Sequence, residues 1–312
     1  MDFPIATHSK ARADWLKTRQ YQEQTGGRYT PLGHVAELHS LADSIPLRLL
    51  KWGLKCFGLW NKGHRNAQDI IERQETFMSS RLPSSFDGYR ILHITDLHLD
   101  ELAIIGEKII SHIENLEYDL CILTGDYWDW RAGQDQTLIT TLGNLINAAG
   151  AQDGVFAILG NHDAHWMVDL LEANDVKVLL NESVHIKRGD HQIKLTGVDD
   201  VNRFYTSSAL DALTTNDHGF SVALVHSSEM ANEAAANFYD MYLCGHSHGG
   251  QICFPGGRPL VTRLHRNKEL FAGRWNIGGM QGLTSNGAGV SGQPIRFNTR
   301  GEYTLITLRS TV

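Results

Sequence analysis

An aspartate and a histidine two positions apart, at the exit of the apolar run Arg90-Ile91-Leu92-His93-Ile94, give the chain its first recognisable chemistry: Asp96 and His98. In a strand, residues two apart face the same side, so this oxygen and this nitrogen can aim at one point past the sheet edge, as half of a metal site. Alone, the triplet reads more readily as an ordinary turn, since turns are rich in aspartate. Four more apolar runs end in the same way. Residues 119–124 deliver Gly125-Asp126-Tyr127-Trp128-Asp129, 154–159 deliver Gly160-Asn161-His162-Asp163, 221–225 deliver His226, and 241–244 deliver Gly245-His246-Ser247-His248. Five liganding strand ends in chain order, at the carboxyl ends where α/β sheets place their sites, point to one assembled centre.

The set Asp-x-His, Gly-Asp-x-x-Asp, Gly-Asn-His-Asp, His and Gly-His-x-His resembles the calcineurin-like metallophosphoesterase superfamily over roughly residues 86–310. Residues 245–251 (GHSHGGQ), the segment Pro294-Ile295-Arg296-Phe297 and the run 303–308 are similar to its bacterial membrane-associated branch of phosphodiesterases and UDP-2,3-diacylglucosamine hydrolases. One departure from that branch is Asn298-Thr299-Arg300-Gly301-Glu302, where a proline is expected before the acid. The resemblance implies an α/β fold, a four-layer α/β/β/α sandwich with the site at one end between its sheets. It assigns Asp96, His98, Asp126 and His248 to a first divalent ion, and Asp126, Asn161, His226 and His246 to a second, with Asp126 as the bridge. Three oxygen ligands and four imidazoles exceed what one ion uses, and mixed nitrogen and oxygen donors without cysteine suit Mn²⁺ first, with Fe or Zn²⁺ as alternatives, over Ca²⁺. Two such ions lower the pKa of a water and stabilise an in-line displacement at phosphorus.

By the same resemblance His162 binds no metal; it faces the phosphate and protonates the leaving alkoxide, with Asp163 placed to orient it. Asp129 is expected to hydrogen-bond a ligand or a loop. Asp199-Asp200, at the end of the run 193–198, reads either as part of the site or as an ordinary turn. His93 lies inside its strand and is expected in the core. Trp128, Trp130 and Trp166 lie beside two site loops, as the floor of a substrate pocket or as core packing.

The length of 312 residues accommodates one catalytic domain, 86–312, and an extension, 1–85. A formal net charge of −7 argues against a nucleic-acid binder, whose phosphate contacts need a basic surface. The four cysteines show no C-x-x-C spacing, and the first residues lack the apolar stretch of a signal peptide, so a cytoplasmic protein is expected. Within the extension a helix is expected over 11–23, an amphipathic one over 45–62 and another over 65–77. In the second, Leu47, Leu49, Leu50, Leu54, Phe57 and Trp60 share an arc that Arg48, Lys51, Lys55 and Lys62 avoid, with Trp52 and Leu59 at its border. Too short and too charged to span a bilayer, this helix either lies in a membrane interface or packs on the catalytic domain.

From residue 88 onward strands alternate with helices at 102–116, 137–148 and 165–174, and the text then shifts to short β segments with helices near 207–213 and 229–237. The function expected is hydrolysis of a phosphodiester or pyrophosphate in an amphiphilic or nucleotide-containing, UDP-diacylglucosamine-like substrate at the membrane face. A soluble cyclic-nucleotide or general phosphodiesterase is the alternative. A catalytically silent scaffold is disfavoured because every ligand position is filled. Oligomeric state is not legible.

Overall fold

Apolar runs of four or five residues buried on both faces require a packed layer on each side. In the computed structural model, which describes residues 10–25, 29–30, 33–34, 45–214 and 219–311, those layers are present. The chain runs through α1 (Lys10–Thr25), the small hairpin β1 (Tyr29–Thr30) and β2 (Gly33–His34), α2 (Ile45–Cys56), α3 (Trp60–Ala67) and β3 (Ile70–Ser79). An alternating half follows: β4 (Arg90–Ile94), α4 (Ile104–Ile113), β5 (Leu120–Leu123), α5 (Gln136–Ala148), β6 (Val155–Ala157), α6 (Met167–Glu172) and β7 (Val176–Val178). The remainder is β8 (Glu182–Arg188), β9 (His191–Gly197), α7 (Ser207–Thr214), β10 (Ser221–Leu224), α8 (Ala231–Ala236), β11 (Met241–Cys244), β12 (Gly273–Ile277), β13 (Met280–Thr284) and β14 (Gly301–Ser310).

Two mixed six-stranded sheets result, ordered β3-β14-β4-β5-β6-β7 and β12-β13-β11-β10-β9-β8. Strands β4 to β7 are mutually parallel, as are β9, β10, β11 and β13, so the ligand-bearing carboxyl ends gather at one edge. Strand alternation then sorts the core. Ile91, Ile122, Ile158, Leu195, Val222, Leu243 and Ile306 meet between the sheets, while Leu92, Leu123 and Ala157 turn outward to α4, α5 and α6. Residues of α7 and α8 cover the second sheet through Ala209, Leu213, Ala231 and Ala234. The expected four-layer α/β/β/α sandwich is this arrangement.

Two expectations in the extension are corrected. The helix expected over 65–77 ends at Ala67, and Ile70–Ser79 is a strand whose ten residues pair in parallel with β14. Its Glu72, Arg73, Gln74 and Glu75 have good helix propensity, but pairing along all of β14 outweighs it, and charged side chains suit an edge strand. The single helix expected over 45–62 breaks after Cys56. Gly58, at φ 67°, donates to Lys55 O and Leu59 donates to Leu54 O, the paired bonds of a Schellman motif that only a left-handed residue closes readily. Of the apolar arc, Leu49 is 61% and Phe57 82% exposed, and the bordering Trp52 is 68% exposed. The side chains of Leu47, Arg48 and Leu50 lie outside the described residues. No helix among the described residues is long and apolar enough to cross a membrane.

Helix α3 is seated firmly. A Cβ at Gly63 would come within 2.6 Å of the Phe297 ring, Gly63 O accepts from Arg296 N at 2.9 Å, and Asn66 donates to Arg296 O at 3.0 Å. Truncating the inter-sheet Ile122 to Ala should cost about 2–5 kcal/mol in urea unfolding, whereas Leu49→Ala on exposed α2 should stay within about 0.5 kcal/mol. A comparable loss at both positions would mean that α2 packs on the sandwich.

Candidate metal centre

At the shared edge, Asp96 and His98 leave β4, Asp126 leaves β5, Asn161 and His162 leave β6, His226 leaves β10, and His246 and His248 leave β11. Two acid and imidazole groups form there, Asp96 with His98 and His248, and Asp126 with His226 and His246, the donor atoms of each within 4.8 Å of one another. Asp126 Oδ2 lies 3.1 Å from His226 Nε2 and 3.5 Å from His98 Nε2, so one carboxylate touches both groups. Asn161 Oδ1 lies 2.8 Å from His246 Nδ1, and Asp96 Oδ1 3.4 Å from His248 Nε2. All seven residues expected as ligands are therefore together.

Close approach of the loops depends on glycine. A Cβ at Gly245 would fall 2.0 Å from Asp96 Oδ2, and one at Gly160 2.2 Å from Asp126 Oδ1. The candidate ligands themselves are bent. Asp96, His98, Asp126, His246 and His248 have φ between 40° and 69°, the left-handed region that non-glycine residues enter at a cost and that collects at functional sites.

The donor set fits divalent ions. His98 Nε2, His226 Nε2, His246 Nε2 and His248 Nδ1 are buried and make no hydrogen bond among the described residues, although buried nitrogens in folded proteins are normally paired. His226 Nδ1 donates to Thr124 O at 2.7 Å, which fixes the tautomer that leaves Nε2 free to ligate. Burial, with the charge of His226, pushes His246 down to about 3, which leaves it neutral, the form that can ligate a metal. Burial alone would lower His226, but the nearby charge of Asp126 carries it well above its ordinary value. His93 is a core residue as expected, its Nε2 2.8 Å from Thr124 Oγ1 and burial pushing it down to about 3.

Asp163 does not orient His162. Its carboxylate accepts from the backbone N–H of Gly160, Asp126 and Tyr127 at 2.7, 2.7 and 2.8 Å, welding two ligand loops together. His162 Nδ1 instead donates to Asp129 Oδ2 at 2.9 Å, and its backbone N–H to Asp126 Oδ1 at 2.9 Å. Burial would raise Asp129, yet hydrogen bonds from Arg131 and His162 hold it well below the usual carboxylate range. The physical reason is reach. Asp163 begins the turn back beneath the loop, while Asp129, three residues past Asp126, comes over beside the imidazole.

Asp199 and Asp200 are structural. Asp200 caps the next turn by accepting from Arg203 N at 2.7 Å, and Asp199 anchors α1, accepting from Trp15 Nε1 at 2.7 Å and Arg19 Nη1 at 2.6 Å. Sequence reasoning missed α1 as part of the site's support, because nothing near Arg19 in sequence signals its partners. Fully buried, Arg19 also donates to the carbonyls of Gly160 and Asp163 at 3.3 and 2.7 Å, gripping the Asn161-His162 loop from behind. Arg296 does the same opposite, donating to the carbonyls of His248, Asn286, Gly287 and Gly289 at 2.7 to 3.1 Å. Trp128 is fully buried and packs 5.7 Å from Trp166 in the outer core, so it floors no pocket.

With this geometry in place, the family description "Calcineurin-like phosphoesterase" matches residues 89–250, more than half of the chain. The chain belongs to the calcineurin-like phosphoesterase family. It is similar to the metallophosphoesterase YkuE of Bacillus subtilis, 28% identical over 78% of this chain and 87% of that one. It is also similar to the phosphodiesterase YaeI of Escherichia coli, 27% identical over 70% of this chain and 82% of that one. Family and donor set together make this a metal-dependent phosphoester hydrolase.

Gly245→Ala should push Asp96 off the position set by β11. Metal affinity, measured by competition with a chelator, should fall by about 10–100-fold, as when a ligand's support is removed, with the fold retained by circular dichroism.

Proposed function

We propose that the chain hydrolyses phosphodiester or diphosphate bonds with a dinuclear centre of Asp96, His98, Asp126, Asn161, His226, His246 and His248, on an amphiphilic or nucleotide-containing substrate such as a UDP-diacylglucosamine-like lipid. The observation that carries this reading is the shared Asp126 carboxylate between two groups of bare buried imidazole nitrogens. Mn²⁺ is the preferred ion. Two ions, when bound, supply Lewis acidity toward the phosphoryl oxygens and acidify a water. His162 serves as the general acid: with Nδ1 committed to Asp129, Nε2 carries the proton that can pass to the leaving alkoxide. Its ring stands 5.0 Å from that of His98, edge to face, which places it beside the first group. Asp163 acts by holding the loop and Asp129 by orienting the ring.

His162→Ala should keep its metal and lose about 10²–10⁴-fold in turnover on alkyl diesters, with a much smaller loss on nitrophenyl esters, whose leaving group needs no proton. Equal losses on both would remove the acid role. Asp126→Asn should lower the content of both ions by elemental analysis. If the parent protein never takes up more than one ion per chain, the dinuclear reading fails.

The exposed apolar residues of α2 and the turn after it support action at an anionic membrane surface. Leu49, Trp52 and Phe57 project to solvent beside Lys51 and Lys55, each lysine near an anionic surface adding about 1 kcal/mol of attraction. Trp52→Glu with Phe57→Glu should abolish sedimentation with phosphatidylglycerol vesicles at unchanged melting temperature. A parent protein that ignores such vesicles would instead favour the soluble phosphodiesterase alternative.

A further inference from the structure

Between residue 251 and β12 the chain is irregular, and it forms one wall of an open cleft that has His248 in its lining and the 291–293 turn opposite. Gln251 ties the two sides together: its amide nitrogen donates to Ser291 O and Gln293 O at 3.2 and 2.9 Å, and its Oε1 accepts from Ser291 N at 2.9 Å. Leu260 and Val261, 46% and 45% exposed, give this cleft an apolar side.

Arg263 lines the same cleft. Its φ of 58° is left-handed, a conformation that costs an arginine free energy and gathers at functional sites. The other arginines around the centre, Arg19 and Arg296, commit their guanidinium groups to protein oxygens. Arg263 makes no hydrogen bond or ion pair with another described residue. It is open to solvent on the cleft side yet crowded by protein, and that desolvation pushes its own pKa down. Its charge reaches the centre, disfavouring protonation of His246 and His248 and being favoured in turn by Asp126. A partly desolvated cation without a protein counter-ion, beside a site for a phosphoryl group, suits a second anionic group of the ligand, and a guanidinium fork matches the oxygens of a phosphate.

We propose that Arg263 is the specificity residue of a second anion subsite, which takes the phosphate adjoining the scissile phosphoryl group and so selects diphosphate-linked substrates over simple phosphodiesters. This rests on the hydrolase reading above for the position of the scissile group. Beyond that second phosphate, Leu260 and Val261 offer an apolar wall to the rest of the ligand.

Calorimetric titration of Mn²⁺-loaded protein with methylenediphosphonate and with methylphosphonate tests the subsite without turnover. Arg263→Met should weaken methylenediphosphonate by about 10–100-fold, the loss of a charge-assisted bond, and leave methylphosphonate within about threefold, at unchanged metal content and melting temperature. Arg263→Lys, which keeps the charge and loses the fork, should fall between the two, and Arg263→Gln carries the test should the methionine variant unfold. Equal weakening of both ligands, or of neither, would overturn the subsite. Hydrolysis separates the two proposals. A parent protein that cleaves no phosphoester but shows the Arg263-dependent diphosphonate preference would overturn the hydrolase reading and keep the subsite. One that cleaves diphosphate diesters and bis(nitrophenyl) phosphate with a kcat/KM ratio unmoved by Arg263→Met would do the reverse.

Discussion

Asp126 is a fully buried carboxylate with one oxygen facing the rings of His98 and His226 and the other accepting from the backbone of His162. Moving such a charge out of water is costly unless partners surround it, and here the partners come from three strand ends other than its own. The fold must therefore bring β4, β5, β6 and β10 to one edge in register, from two sheets rather than one. The parallel pairings in each sheet do this, and the inter-sheet core of β-branched and leucine side chains holds the two edges at a fixed separation. Gly160 and Gly245 then let the loops close onto the carboxylates, which any side chain there would displace.

Such closure has a conformational cost. Five of the seven donors sit in the left-handed region, each at about 1–3 kcal/mol, against a net stability of only about 5–15 kcal/mol for a typical domain. Bent backbones of this kind persist only where their surroundings over-determine them. Around this centre the surroundings are identifiable: Asp163 takes three backbone N–H groups from two loops, Arg19 takes two carbonyls of the Asn161-His162 loop, and Arg296 takes the carbonyl of His248 and three from 286–289. Asp163 and Arg296 spend these bonds on main chain, and Arg19 divides its own between two carbonyls and the carboxylates of Asp199 and Glu23, so loop shape is fixed directly.

What could be read in the sequence was whatever the chain encodes locally. A strand end and the polar residues that follow it are written in five or six consecutive positions, so the seven candidate donors that the structure brings together could be picked out, as were the alternating half and the closing strand. Contacts between distant segments were not. Asp163 and Asp129 both stand near His162 by motif, and only the path of the loop decides that Asp129 meets the ring. Arg19 lies more than a hundred residues from the loop it grips, in a polar helix without a motif. Ile70–Ser79 carries good helix formers, and its strand state comes from β14, the last element of the chain. Gly58 marked the break in the amphipathic stretch, but periodicity carried the reading past it.

A continuous line of contacts leads from the surface to the centre. Exposed α2 is joined through the Gly58 turn to α3, α3 is bonded to the backbone of Arg296, and the Arg296 guanidinium holds the carbonyl of His248. The cleft that contains His248 and Arg263 is thus tied to the orientation of the segment that presents Leu49, Trp52 and Phe57. Along that line α3 is packed tightly against 295–297, while α2, a turn away, is left open.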